Sequence, residues 1–234
     1  MIIIPARLAS TRFPNKILAN INGLPMVIAT AKRVENLDDV AIAADTEEVV
    51  ALAHDYGFKA ILTSKEHQSG TDRINEAAQK LNLKDNEIVI NVQADEPFIE
   101  ERVVQSVIER SQQTDAMITS ACKKIDLLHV KDPNLVKVIL DAHGNAIYFS
   151  RSPIPYDREG GFEGYFGHLG IYAFRKKALE TFCTLPYAAI EHIEKLEQLR
   201  AIYHGYKIAM VEVESQSFGI DTKEDLERAL AFFK

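Results

Sequence analysis

Four short apolar runs, each followed by a helical pattern, constrain this chain more than any other feature. Residues 2–4, 40–44, 59–62 and 87–92 read as strands, and residues 25–35, 46–56, 72–81 and 101–111 read as helices between and after them. Ile2, Ile3 and Ile4 are β-branched with no polar alternation, the mark of a strand buried on both faces. Pro5 removes a backbone donor and ends that strand. Asp45 or Thr46 can cap the second helix, Asp45-x-x-Glu48 has the form of a capping box, and Gly57 suits its end. Alternation of this kind predicts an α/β fold with a mostly parallel sheet and helices on both faces.

The pattern changes near residue 115. Residues 117–121 and 135–141 read as strands, His143-Gly144-Asn145 as a turn, and 146–150 as the returning strand of a hairpin. A loop rich in Gly, Pro and charge follows at 152–164, then a strand at 168–174. Apolar residues at helical spacing (Ile190, Ile193, Leu196, Leu199, Ile202) predict one helix over 190–203, followed by a strand at 208–213 and a helix at 222–233. We expect one domain over residues 1–234, with an antiparallel element at about 125–190 that offers a dimer surface.

A loop holding Arg7, Arg12 and Lys16, with the hydroxyls of Ser10 and Thr11, follows the first strand. Open α/β sheets bind ligands beyond the carboxyl ends of their strands. Arg offers a planar fork to phosphate oxygens and Lys a point charge, so the pattern points to a polyphosphate. Three cations within ten residues stand out in a chain of net charge −7. That charge argues against duplex nucleic acid, which calls for a basic face, but not against a nucleotide. Cys122 and Cys183 match no metal or redox spacing and read as reduced thiols of a cytosolic protein. No apolar stretch reaches 18 residues, and the start Met-Ile-Ile-Ile lacks the basic segment of a signal peptide, so we expect a cytoplasmic protein away from membranes.

Several constellations carry possible chemistry. Gln93-Ala94-Asp95-Glu96-Pro97 follows a buried strand and so faces the same crevice as the cationic loop. A carboxylate there can hold Mg²⁺ on a polyphosphate, or it can simply favour the positive end of the next helix. Asp221 starts a helix, where capping is its ordinary role and metal ligation a second one. The loop His67-Gln68-Ser69-Gly70-Thr71-Asp72-Arg73 can meet the edge of a base or serve as a capped turn. Arg151 and Arg158 can grip a carboxylate bidentately. Glu194, Glu197 and Gln198 share a helix face if 190–203 is one helix, and Glu191 to Glu197 then reads as a solvated face. A Walker loop, a Gly-x-Gly-x-x-Gly, a Gly-x-Ser-x-Gly elbow and a His-Glu-x-x-His pair are all missing from the sequence.

Taken together, these residues resemble the 3-deoxy-manno-octulosonate cytidylyltransferase family. The likeness runs through Ile4-Pro5-Ala6-Arg7-x-Ala9-Ser10-Thr11-Arg12-x-Pro14-x-Lys16, His67-Gln68-Ser69-Gly70-Thr71, Asn91-Val92-Gln93-x-Asp95-Glu96-Pro97 and Val136-Lys137-Val138. It continues through Tyr148-Phe149-Ser150-Arg151, His168-Leu169-Gly170-Ile171-Tyr172, Glu191-His192-Ile193-Glu194-x-Leu196-Glu197-Gln198-Leu199-Arg200 and Gly219-Ile220-Asp221-Thr222. The opening is shared with other sugar nucleotidylyltransferases; the later motifs make the likeness specific. It implies a Rossmann-like nucleotidyltransferase sheet, a homodimer, and transfer of CMP from CTP to the sugar acid Kdo with release of pyrophosphate. It further implies that Arg7 and Lys16 bind the triphosphate with Ser10 and Arg12 nearby, and that Ser69, Arg73 and Gln93 surround the cytidine. Asp95 and Asp221 would hold Mg²⁺, and Arg151, Arg158, His168, Tyr172, Glu197 and Gln198 would face the sugar acid. Two positions depart from the family pattern: Ala94 stands where Gly is usual, and Asn15 where Gly is common before the Lys. A cytidylyltransferase for another acid such as a sialic acid, or a non-catalytic nucleotide-binding regulator, are the alternative functions.

Overall fold

The computed structural model describes residues 1–9 and 13–233. In chain order it runs β1 (Ile2–Ala6), a single helical turn at Lys16–Leu18, the small hairpin β2 (Asn20–Ile21) and β3 (Leu24–Pro25), and α1 (Met26–Val34). Next come β4 (Val40–Ala44), α2 (Glu47–Asp55), β5 (Lys59–Leu62), α3 (Gly70–Lys80), β6 (Ile88–Asn91) and α4 (Glu101–Gln112). The second half holds β7 (Ile118–Lys124), β8 (Lys137–Leu140), β9 (Ala146–Ser150), β10 (Phe166–Arg175), α5 (Lys176–Thr184), α6 (Ala189–Glu194), α7 (Leu199–Tyr203), β11 (Ile208–Glu212) and α8 (Lys223–Phe232).

The main sheet has the order β11-β7-β10-β6-β1-β4-β5. β1 pairs in parallel with β4 and β6, and β4 with β5. β10 enters antiparallel between β6 and β7, and the β8–β9 hairpin attaches to the start of β10. The three isoleucines of β1 explain why it lies at the centre. Ile2 and Ile4 pack with Val27 and Ala31 of α1 on one face, and Ile3 packs with Ile74 and Ala77 of α3 on the other. Each is fully buried, a gain of about 2 kcal/mol per side chain over exposure.

The expected strand–helix alternation of the first half is present. Thr46, not Asp45, caps α2 by accepting from Val49 N, while Asp45 accepts from Leu8 N and so ties down the start of the cationic loop. Gly57, at φ 82°, closes α2 in the left-handed region that glycine favours. Asn15, at φ 54°, adopts the same region just before Lys16.

Two expectations for the second half need correction. Residues 190–203 are not one helix. Lys195, at φ 53°, breaks the stretch into α6 and α7, so Glu194 and Gln198 do not share a helix face. Glu191 is not solvated either. It is buried, pairs with the equally buried Arg200 at 2.5 Å and accepts from Ala188 N. Arg200 in turn lies over the rings of Phe182 and Tyr187, so a charge pattern that reads as superficial is an internal tie. Nothing local announces helix α5, which follows β10 with no cap residue and no acidic first turn.

Candidate active site

β1 and β6 lie side by side in the sheet, and the segments leaving their carboxyl ends open a crevice. A cavity of ≈ 290 Å³ there is lined by Arg7, Lys16, Ser69, Arg73, Gln93, Asp95 and Asp221, with His67, Gln68 and Gly70 on its wall. Residues 7 and 16 come from the chain after β1, 93 and 95 from the chain after β6, and 69–73 from the start of α3. Asp221 comes from the segment before α8. Ser10 and Arg12 lie outside the described residues.

Lys16 sits at the centre. Its ammonium donates to Asp95 Oδ2 at 2.5 Å and to Asp221 Oδ1 at 2.9 Å. Burial works against its charge, but the two carboxylates outweigh this and raise its pKa above the ordinary value. Two loops far apart in sequence are thus aimed at one cation. Their separation is fixed by the backbone bond from Ile220 N to Asp95 O, at 2.9 Å. Asp221 is not the cap of α8. Thr222 is, accepting from Asp225 N, while Asp225 in turn accepts from Thr222 N. Capping and site chemistry are therefore divided between neighbours. Glu96, beside Asp95, is pushed up to about 8 by burial first and by Asp95 second.

Two carboxylates converging on one cation fit Mg²⁺, which takes one or two protein carboxylates and completes its shell with phosphate and water. Among the described residues no group of three or more His, Cys, Asp or Glu gathers into an all-protein metal cage.

The start of α3 is well ordered by its own side chains. Ser69 caps the helix by accepting from Asp72 N and donates to Asp72 Oδ2. Arg73 is buried and donates to Thr63 Oγ1 at 2.7 Å and to Ser64 O. Gln93 donates to Asn91 Oδ1. Ala94 is buried against the core, its carbonyl accepts from Thr30, and the residue also lines the cavity.

A second set of the expected residues gathers beside β10. His168 Nε2 lies 2.9 Å from Ser120 Oγ, its Nδ1 lies 3.5 Å from Gln198 Nε2, and Tyr172 donates to Gln198 Oε1 at 3.5 Å. Burial pushes His168 down to about 3, so its ring is neutral at neutral pH, and burial raises Tyr172 as well. Glu197 links this set to the first, because Thr71 at the start of α3 donates to its Oε2 at 2.6 Å. Burial raises the Glu197 pKa, and its Oε1 is a buried acceptor without a hydrogen bond, 3.6 Å from Arg200. The two arginines lie elsewhere. Arg151 donates to the carbonyls of Glu194, Pro133 and Lys195, and Arg158 sits exposed on the loop after β9.

Thr71 and Ser120 are not among the residues that sequence reasoning singles out for the site. Thr71 falls within a motif that carries the family likeness. Ser120 has a fainter signal, a hydroxyl beside that of Thr119 inside the strand pattern 117–121.

Residues 1–208 match the family model for cytidylyltransferases. The 3-deoxy-manno-octulosonate cytidylyltransferase of a Nitratiruptor species is 59% identical over 237 residues, covering 100% of this chain and 99% of that one. The enzyme of the same description from Wolinella succinogenes is 53% identical over 241 residues, again with 100% and 99% covered. Among solved structures, a CMP:2-keto-3-deoxy-manno-octonic acid synthetase complexed with CTP superposes with a TM-score of 0.93 at 37% identity. That superposition covers 99% of this chain and 96% of that one.

Proposed function

The chain belongs to the 3-deoxy-manno-octulosonate cytidylyltransferase family, and from that premise we propose that it joins CTP to 3-deoxy-manno-octulosonate (Kdo). The products are CMP-Kdo, for lipopolysaccharide synthesis, and pyrophosphate. The observation that carries the reading is the meeting of Lys16, Asp95 and Asp221 in a crevice that Arg7, Ser69, Arg73 and Gln93 also line.

In this reading the triphosphate lies along Arg7 and Lys16, with Ser10 and Arg12 on the same loop, and the cytidine lies against Ser69, Arg73 and Gln93. Asp95 and Asp221 would hold Mg²⁺, which supplies neutralisation of the phosphate charge when bound. The Kdo 2-hydroxyl attacks the α-phosphorus and releases its proton to solvent, and the bond to pyrophosphate breaks on the opposite side. Phosphoryl-type transfers need positioning and charge neutralisation more than covalent help. Lys16 and Arg7 offset the charge that grows on the departing pyrophosphate. His168, Tyr172, Glu197 and Gln198 form the polar wall for the hydroxylated acceptor. Arg151 commits three N–H donors to carbonyls and keeps two of a guanidinium's five for a carboxylate; Arg158 is the exposed cation of the same role.

We also assign the antiparallel element at about 125–190 to contact with a second copy. Leu128 and Tyr156 on it are 85% and 86% exposed, apolar surface that a second copy would cover. Among the described residues no helix is long and apolar enough to cross a membrane, and we place the enzyme in the cytosol.

Pyrophosphate release measured with CTP, other nucleoside triphosphates, Kdo and a sialic acid tests the reading. Release that needs both CTP and Kdo is expected. Release with the sialic acid instead would move the acceptor, and no release with any pair would leave a nucleotide-binding regulator.

A further inference from the structure

Ser120 lies on β7, fully buried, opposite Tyr172 of β10 where the pairing of the two strands shifts register between Leu169 and Tyr172. Its hydroxyl oxygen is 2.7 Å from Ile171 O and 3.3 Å from Leu169 O, both at that irregularity, and 2.9 Å from His168 Nε2. A serine has one hydrogen to donate. The two carbonyls only accept. If the serine proton went to His168, Ile171 O would face the hydroxyl oxygen at 2.7 Å with no proton between them. Donation to Ile171 O removes that conflict, and the bond to His168 must then run the other way, from a protonated Nε2 into the serine oxygen.

The remaining polarity follows. Burial holds His168 neutral, so a proton on Nε2 leaves Nδ1 bare. A bare Nδ1 repels an amide oxygen and attracts an amide nitrogen, so Gln198 turns its Nε2 to His168 and its Oε1 to the Tyr172 hydroxyl, the arrangement observed. The Phe149 ring, edge-on to the imidazole at 4.9 Å, packs against it. We propose that Ser120 is a positioning residue for the acceptor site: by taking the Nε2 proton bond it sets the tautomer of His168, and through it the orientation of the Gln198 amide. The chain runs in one direction, from Tyr172 to Gln198 to His168 to Ser120 to the Ile171 carbonyl. The assignment of tautomer rests on the hydrogen bonds, with burial keeping the ring neutral; its effect on the acceptor rests on the sugar-acid wall proposed above.

The test has a spectroscopic arm and a kinetic arm. Imidazole ¹⁵N spectra of the full-length wild-type protein, with the His168 signals assigned by their loss in His168→Gln, should show a protonated Nε2 and a bare Nδ1. A proton on Nδ1 instead would overturn the proposal, and this needs no variant of Ser120 to fold. In Ser120→Ala the His168 signals should move toward a mixture of tautomers, and the KM for Kdo should rise by about tenfold, with the KM for CTP unchanged. An unshifted Kdo KM in a folded Ser120→Ala protein whose tautomer has changed would show that the serine does not position the acceptor. If His168→Gln itself leaves the Kdo KM unchanged, the sugar-acid wall is at fault, while the wild-type spectrum still decides the tautomer.

Discussion

In the crevice beyond β1 and β6, full charges face one another across accessible space. Asp221 is 47% exposed, and Lys16 bridges two carboxylates that come from separate loops. In the wall beside β10, the half-buried His168 and Tyr172 and the buried Gln198 are neutral and hold one another through hydrogen bonds of fixed direction, with the Glu197 carboxyl beside them. The two regions suit two kinds of ligand. A crevice of opposed charges can exchange its internal ion pairs for a polyphosphate and a metal ion. A wall of directed hydrogen bonds can instead read the hydroxyls of a sugar, because an analogue lacking one leaves a polar group of the wall unpaired.

The sharpest break between the regions should come from charge removal. Asp95→Asn keeps the shape and loses the charge, and should lower Mg²⁺-dependent turnover by on the order of 10³. Lys16→Ala and Arg7→Ala should each lower it by on the order of 10². Steady-state pyrophosphate release measures all three, and wild-type turnover in the lysine and arginine variants would remove them from the triphosphate site.

In the second region the large effect should fall on stability. Glu191→Ala leaves Arg200 charged, buried and unpaired, and should cost about 3 kcal/mol in urea unfolding. A loss under about 1 kcal/mol would mean that the cation–ring contacts with Phe182 and Tyr187 hold Arg200 without help.

The contrast also explains what the sequence disclosed. The crevice was legible because its residues follow the ends of buried strands: Arg7 to Lys16 after β1, and Gln93 to Asp95 after β6. The wall was legible only through resemblance. Its geometry depends on Lys195 adopting a left-handed backbone in the middle of a helical apolar pattern, a residue type that gives no warning of it. Periodicity predicts a continuous helix, because Ile190, Ile193, Leu196, Leu199 and Ile202 keep helical spacing across the break. Likewise Glu191 reads as a surface charge, because nothing local shows that α6 and α7 fold onto each other.

Three smaller predictions refine the picture. Thr222→Ala removes the cap of α8 and should lower stability by about 1 kcal/mol, seen as a lower Tm. Asp221→Asn should lower turnover with little change in Tm. A fall in Tm without loss of turnover would return Asp221 to a structural role. The third prediction concerns pH. Burial opposes ionisation of Glu76, but Lys80, Ser64 N and His67 outweigh it and hold the carboxyl at about 2, below its ordinary 4.5. A depressed carboxyl stabilises the fold above pH 4.5, and that stability is lost as pH falls from there toward 2. Glu76→Gln should therefore flatten the stability profile in that window, as followed by urea unfolding at a series of pH values. An unchanged slope would show that the Glu76 contacts do not persist in solution.

The central claim is tested most directly by product analysis of the purified full-length protein incubated with CTP, Kdo and Mg²⁺. Mass spectrometry of the conjugate, alongside a pyrophosphate assay, should give one CMP-Kdo for each pyrophosphate released, and neither product when Kdo is omitted. Pyrophosphate without the conjugate, or a conjugate formed equally well from other nucleoside triphosphates, would contradict the account.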